Sequence, residues 1–457
     1  MASRRSQHNT FYQYLASLTA VISLFINGMH YGWCYISFRT LLSKSSPIHV
    51  GKTGSKWLRR APTFGLLGGS LSMAIIIDII GKHKIILLSA VPHLISWIMI
   101  YLATNYVTLL IARLIAGFAI GWSFCAVPLY IGEISEPRIR GLLLSLIPLS
   151  WILGSFVINI IGTYCNIKIT AAISCVFPII SIMAFASMPE SPYFLVMRGK
   201  NKAAKKVLQI LSGKKDVEKD ILRIEEGFEE NNSTQKNPLD LFRKSNNRKG
   251  IIIILCLKAF QEFSGDTAIY EYSQYIFKEA KIDISEEKAT FIFLVIEVVV
   301  TGISALLIDT SGRRRLLIVS SLGSALSILT EGIYFYLKFN TNIDLSNYNI
   351  IPLIALVTFV ICFCAGLRGI HFVLLGELFT QTVKAPAVCV AYLSDEILII
   401  IVSKFLQLFE SRLEMHIPFI TFGVFTCIGM VFIILYVPET KRKTLEEIQY
   451  SLKAKNN

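Results

Sequence analysis

Charge is what this 457-residue chain has little of: Asp, Glu, Lys and Arg make up 17% of it, against about a quarter in soluble domains. Beside 53% hydrophobic residues and a mean hydropathy of +0.57, that scarcity excludes an ordinary soluble domain. A short charged-then-apolar leader with a small-residue cleavage site is missing too, so the first apolar run is expected to be retained. The nine cysteines show no metal-ligand spacing; Cys34, Cys125, Cys256, Cys362, Cys364 and Cys427 lie in apolar runs and read as small buried hydrophobes. No nucleophile constellation, phosphate loop or metal cluster is evident, so neither an enzyme nor a cofactor is expected. The net charge of +14 does not point to nucleic acid, because the bases sit between apolar runs rather than on one soluble face.

What is present is a series of apolar runs of membrane-crossing length, which needs roughly 20 residues each. They predict twelve helices near 12–35, 58–80, 85–104, 107–131, 142–163, 168–188, 250–277, 289–308, 314–338, 350–376, 385–409 and 416–437. The fold class expected is therefore an all-α integral membrane protein with six helices in each half. Four segments follow: a bundle over 1–188, a linker of short amphipathic helices over 189–249, a second bundle over 250–437, and a tail over 438–457. Lys and Arg crowd the loops on the side of both termini, which the positive-inside rule makes cytosolic. The first outer loop, with Arg39, Lys44, Lys52, Lys56, Arg59 and Arg60, runs against that rule and is outvoted. Asn231 and Asn232 sit in N-x-S/T patterns, but this topology puts them in the cytosol, where they would not be glycosylated.

An internal repeat supports the division. DIIGKHK (Asp78 to Lys84) follows the second run, and DTSGRRR (Asp309 to Arg315) follows the eighth. Gly permits a tight turn there, while the bases begin the next helix within reach of carboxylates. One such motif is a common turn; two at equivalent points of two halves mark parallel repeats, the pattern of major-facilitator carriers. ARLIAGFAIGWSFCAVPLYIGEISEPRIRG (Ala112 to Gly141), PESPYFLVMRGK (Pro189 to Lys200), QEFSG (Gln261 to Gly265) and VPETKRKTLEEIQ (Val437 to Gln449) complete the set. Together they resemble the sugar porter family of that superfamily, in order and over nearly the whole chain. Within it the chain looks most like insect facilitative trehalose and hexose carriers.

That resemblance implies a carrier of a small sugar or polyol, monomeric in the bilayer of a plasma membrane. It also implies a cytosolic gate of ion pairs at Asp78, Arg113, Glu133, Arg140, Glu190, Asp309, Arg313, Arg314, Glu377, Lys384 and Glu439. Arg113 lies inside a span, where an unpaired charge costs roughly 2.5–3.5 kcal/mol or more, so a carboxylate partner is expected. The family's Arg after PESP is Tyr193 here, which leaves the latch one cation weaker.

The central site implied by the family is a ring of amides with an aromatic platform, and this chain departs from it repeatedly. Gln261 keeps the first glutamine of the seventh span, but Glu262 replaces the second and Thr267 replaces the asparagine. Glu297 stands for an eighth-span Asn, and Asp395-Glu396 for an Asn-Trp pair. In LRGIHF (Leu367 to Phe372), Phe372 takes the place of the Trp, Gly369 and His371 replace prolines, and Arg368 replaces a glycine. Pro148 occupies a fifth-span position where many glucose carriers have Gln. Substrate contacts are expected from Gln261, Glu262, Thr267, Glu297, Phe372 and Asp395. Helix geometry sets Glu262 and Asp266 four residues apart on one flank, with Glu271 nearly opposite, near the outer mouth. Ionised carboxylates only accept hydrogen bonds. Three readings stay open: a sugar or polyol whose hydroxyls the acids accept, a cationic or zwitterionic solute, and a non-transporting nutrient sensor. His30 stands where proton-driven relatives carry Asp, so it and Asp266 are the candidate proton sites. Passive transport is favoured, because a lone His in a span is more often structural.

Overall fold

The computed structural model is all-helical across the residues it describes, which are 10–43, 48, 50–232, 240–266, 268–269, 276–277, 286–341, 343–379, 383–410, 414, 416–443, 447–448 and 450–451. Helices α1 (Phe11–Ala20) and α2 (Ile22–Leu41) form the first run, separated by Val21. Next come α3 (Lys52–Ile80), α4 (Lys82–Leu102), α5 (Tyr106–Ile134) and α6 (Arg140–Tyr164). The sixth run is two pieces, α7 (Ile167–Ser174) and α8 (Val176–Phe185). The linker holds α9 (Pro192–Met197), α10 (Asn201–Ser212), α11 (Glu218–Asn232) and α12 (Asp240–Arg243). Helices α13 (Ser245–Glu262), α14 (Glu286–Ser311), α15 (Arg313–Asn340), α16 (Ile351–Ala365), α17 (Ile370–Glu377), α18 (Lys384–Glu410) and α19 (His416–Tyr436) follow.

Each of the twelve predicted runs contains a described helix, and among the described residues ten helical stretches are long and apolar enough to cross a membrane. The other two are α3, whose first turns carry Lys56, Arg59 and Arg60, and α13, which stops at Glu262. The stop is local chemistry: the Ser264 hydroxyl donates to the Gln261 carbonyl at 2.6 Å, and Gly265 takes a φ of +95°. The tenth run breaks likewise between α16 and α17, where Gly366 and Gly369 bracket Arg368. Irregular backbone at membrane depth is tolerated where it is buried in protein or lines a cavity.

Lipid offers helices little hydrophobic incentive to associate, so close backbone approach and dispersion hold such bundles together. The pair α3 and α5 shows how. Gly65 and Gly69 of α3 face Gly117 and Gly121 of α5, where an added methyl on Gly121 would come within 2.8 Å of the Leu66 carbonyl. Around them Met29, Trp33, Trp97, Ile100, Leu109 and Ile158 form an apolar core. Outward-pointing Ile75 is 71% exposed, as a lipid-facing side chain should be. Turns follow the repeat: Gly81 (φ +96°) joins α3 to α4, and Gly312 (φ +91°) joins α14 to α15. L-residues are strained at such φ values, hence glycine at both.

The chain divides into two units. One comprises Met1–Leu241 with Phe379–Cys389, and the other comprises Phe242–Leu378 with Val390–Lys443. By these contacts most of the linker goes with the first unit. The side chain of Gln13 in α1 ties it there, donating to the Leu211 carbonyl at 2.9 Å and accepting from the Glu136 backbone at 2.9 Å.

Candidate functional site

In the second unit, charged side chains gather at the two helix breaks. Arg368, between α16 and α17, donates to both carboxylate oxygens of Asp266 at 2.9 and 3.1 Å. It also lies 3.0 Å from Glu297 of α14. One guanidinium thus ties the seventh-run break, α14 and the tenth-run break together. Planar, fixed donors suit Arg to bridging several carboxylates. One turn before Glu262, Lys258 of α13 reaches Asp395 of α18 at 2.8 Å. Its ammonium also lies 5.4 Å from the Phe372 ring and 5.9 Å from the Tyr392 ring, within cation–π range.

The predicted contacts are therefore largely brought together, but as ion pairs rather than a row of open acceptors. Glu297 and Asp395 each have a buried cation, and Asp266 shares that of Glu297. Gln261 and Glu262 close α13; Gln261 Oε1 is buried and accepts from no described residue, while Glu262 is half-buried. Phe372 lies 6.4 Å from Tyr392 between ring centroids and 3.9 Å from His371. Thr267 falls outside the described residues. Sequence reasoning passed over Lys258. The available signal was an unaccompanied lysine inside an apolar run, which demands a partner.

The ends of the two units that carry the repeated motif are built alike. In the first, Lys82 pairs with Glu133 at 3.0 Å, and the Ser191 hydroxyl donates to the same carboxylate. Glu190 accepts from the backbone of His83 at 3.1 Å and of Ser191 at 2.9 Å. In the second, Arg313 pairs with Glu377 at 3.1 Å and Asp309 at 2.9 Å, and Thr440 donates to Glu377 at 2.6 Å. Glu439 accepts from the backbone of Arg313 and of Arg314, both at 3.1 Å. In each case the PES or PET glutamate caps the helix that starts at the glycine turn. Unsatisfied N–H groups and the helix dipole both favour an anion there. Asp78 lies in the last turn of α3, where its carbonyl accepts from Arg198 at 2.9 Å. Arg140 begins α6 and donates to the Ser135 carbonyl at 3.1 Å. Lys384, the first residue of α18, is buried.

Arg113 does not belong with these gate residues. It lies twenty residues before Glu133 on the same helix, which places the two about 30 Å apart at 1.5 Å per residue. The expected carboxylate is not its partner either. Among the described residues, Arg113 donates to the His30 carbonyl at 2.8 Å and contacts the Cys34 sulfur at 2.7 Å. Its guanidinium also lies 5.4 Å from the Trp33 ring. The charge is thus held by carbonyl, thiol and π-face, each of which stabilises a cation without neutralising it. The His30 ring itself is fully buried, stacked 4.1 Å from Trp97 and 5.2 Å from His93.

Residues 12–452 match the family model described as sugar (and other) transporters. The chain is 31% identical to a facilitated trehalose transporter of Culex quinquefasciatus, over 96% of this chain and 86% of that protein. It is 34% identical to a facilitated trehalose transporter of Aedes aegypti over 85% of this chain, which spans only 48% of that longer relative. Among solved structures it resembles the major-facilitator proton:xylose symporter XylE bound to 6-bromo-6-deoxy-D-glucose, with a TM-score of 0.83 and 22% identity. That match covers 97% of this chain and 100% of the other, and it is a likeness of fold.

Proposed function

The chain belongs to the sugar transporter family, and from that premise we propose that it moves a small sugar or polyol across a membrane by alternating access, with no covalent chemistry. The observation that carries this reading is the pair of helix breaks at Gly265 and at Gly366–Gly369, with charged side chains of α13, α14 and α18 converging on Asp266 and Arg368 in the breaks. Broken helices in a bundle expose backbone and polar groups at membrane depth, where a hydroxylated solute needs them. The insect relatives' description as facilitated trehalose transporters makes trehalose the first solute to test, with hexoses beside it. The two capped ends serve as the rigid parts of a cytosolic gate, with Asp78, Arg140 and Lys384 as its further charges. Their basic character supports a cytosolic side, and the proposal takes the membrane to be the plasma membrane.

Transport is facilitative in this reading. His30 is fully buried in a ring stack, and its ring nitrogens have no hydrogen-bond partner among the described residues, an arrangement that offers no relay for a proton. Uptake of labelled trehalose, glucose and polyols into vesicles containing the purified chain tests the carrier. Saturable uptake that stops at equal concentrations inside and out is expected. Ligand binding without uptake would favour the sensor. Accumulation driven by an imposed pH gradient, and abolished in His30→Ala or Asp266→Asn, would replace facilitation by proton coupling.

A further inference from the structure

Resting on the carrier reading above, we infer that the cargo is a sugar or polyol bearing a protonated amine, and that Glu262 is the carboxylate that receives it. The charge balance of the second-unit site is the starting point. Lys258 and Arg368 supply two cations, while Glu262, Asp266, Glu297 and Asp395 supply four carboxylates. Both cations contact other carboxylates; Glu262 makes no contact ion pair or hydrogen bond with a described residue and feels Lys258 and Arg368 only at longer range, against Asp395 and Asp266.

The charges are also layered. The side chains of Lys258, Arg368 and Glu297 are 2%, 9% and 3% exposed, whereas those of Asp395 and Asp266 are 19% and 30% exposed. A solute that reaches this site meets acceptors, with the donors locked beneath them. A neutral sugar can donate hydroxyls to such a surface but cannot offset its charge. An ammonium group does both, and a carboxylate held among apolar spans gains most from a partner of opposite sign.

Two further features locate the amine and the ring. The cation-binding faces of Phe372 and Tyr392 already have a tenant in Lys258, so an incoming ammonium is directed to Glu262 rather than to the aromatics. His371, beside Phe372, is 2% exposed, and both of its ring nitrogens lack a partner among the described residues. What separates it from the equally unpartnered His30 is its place against Phe372 at the tenth-run break, whereas His30 is stacked on Trp97. A neutral imidazole can give to one hydroxyl and take from another. Glu262 thus sets selectivity for the amine, and His371 contacts the carbohydrate.

The test is uptake of labelled 2-amino-2-deoxyglucose, glucose and N-acetylated aminoglucose into vesicles containing the full chain. The amino sugar is expected to show kcat/KM about tenfold above glucose, a difference of ~1.4 kcal/mol, with the acetylated sugar no better than glucose. Glu262→Gln should bring the amino sugar to parity with glucose. Equal uptake of all three sugars by the wild-type chain overturns the inference while leaving the carrier reading intact, and needs no variant to fold. An amine preference that survives Glu262→Gln, in protein that still transports glucose, overturns the role of Glu262 and shows the excess charge to be met otherwise. Transport of none of the three, nor of trehalose, overturns the carrier reading itself and this inference with it.

Discussion

The two units share their ends and differ in their middles. At the ends, Lys82–Glu133–Ser191 with Glu190 is matched by Arg313–Glu377–Thr440 with Glu439 in the same arrangement, with Arg313 adding a second pair to Asp309. In the middles, the first unit holds one cation, Arg113, among neutral groups, while the second holds a charged network around Lys258 and Arg368. The ends repeat because they solve the same physical problem in both units. A helix that starts on a glycine turn must satisfy its first N–H groups, and a buried base must be paired. Under the proposed function the middles answer to a solute instead. An asymmetric solute does not ask the same of both units, so they are free to diverge. The contrast supports the proposal that the specificity of this carrier resides mainly in the second unit.

Breaking the ends should cost most. Arg313→Ala leaves Glu377 and Asp309 without their shared buried base, and a loss of about 3–5 kcal/mol is expected, read as lowered thermal stability of the purified protein. Lys82→Ala should cost less, because Glu133 keeps the Ser191 hydroxyl and Lys82 serves one carboxylate rather than two. If the lysine variant proves the weaker protein, the two ends are alike in geometry but not in energetics.

The second-unit network offers an intermediate effect. Lys258→Gln strands Asp395, so uptake should fall steeply, and Lys258→Gln with Asp395→Asn should recover much of it by removing the charge imbalance. A coupling of roughly 1–3 kcal/mol between the two positions is expected. Additive losses in the double variant would mean that the two side chains act independently. The smallest effect sharpens the symmetry of the ends. Gly81→Ala and Gly312→Ala each place a methyl at positive φ and crowd the capping carboxylate, for ~1–2 kcal/mol apiece. Unfolding midpoints that shift by clearly different amounts would show one turn to be less constrained than the other.

Much of the fold is legible in the residues alone, because a membrane helix is a local property: its length, its apolar content and the turns at its ends are neighbours in sequence. The twelve runs, the glycine turns at Gly81 and Gly312 and the repeat of PES and PET are all of that kind. The site is legible only in part. Glu262, Asp266, Glu297, Phe372 and Asp395 stand out as polar or substituted positions, yet what each one touches does not. Arg113 illustrates the gap: its charge is plain in the sequence, but its carbonyl and thiol partners on α2 replace the carboxylate that electrostatics alone demands.

Sequence by itself determined that this chain is a twelve-run membrane carrier of two related halves, through periodicity and motifs a few residues long. Only the tertiary structure decided which charges meet. Lys258 and Asp395 are 137 residues apart, and Arg368 and Asp266 are 102 apart. Pairings at that separation depend on how helices pack, and packing is set by small residues and shape at contacts that no local pattern records.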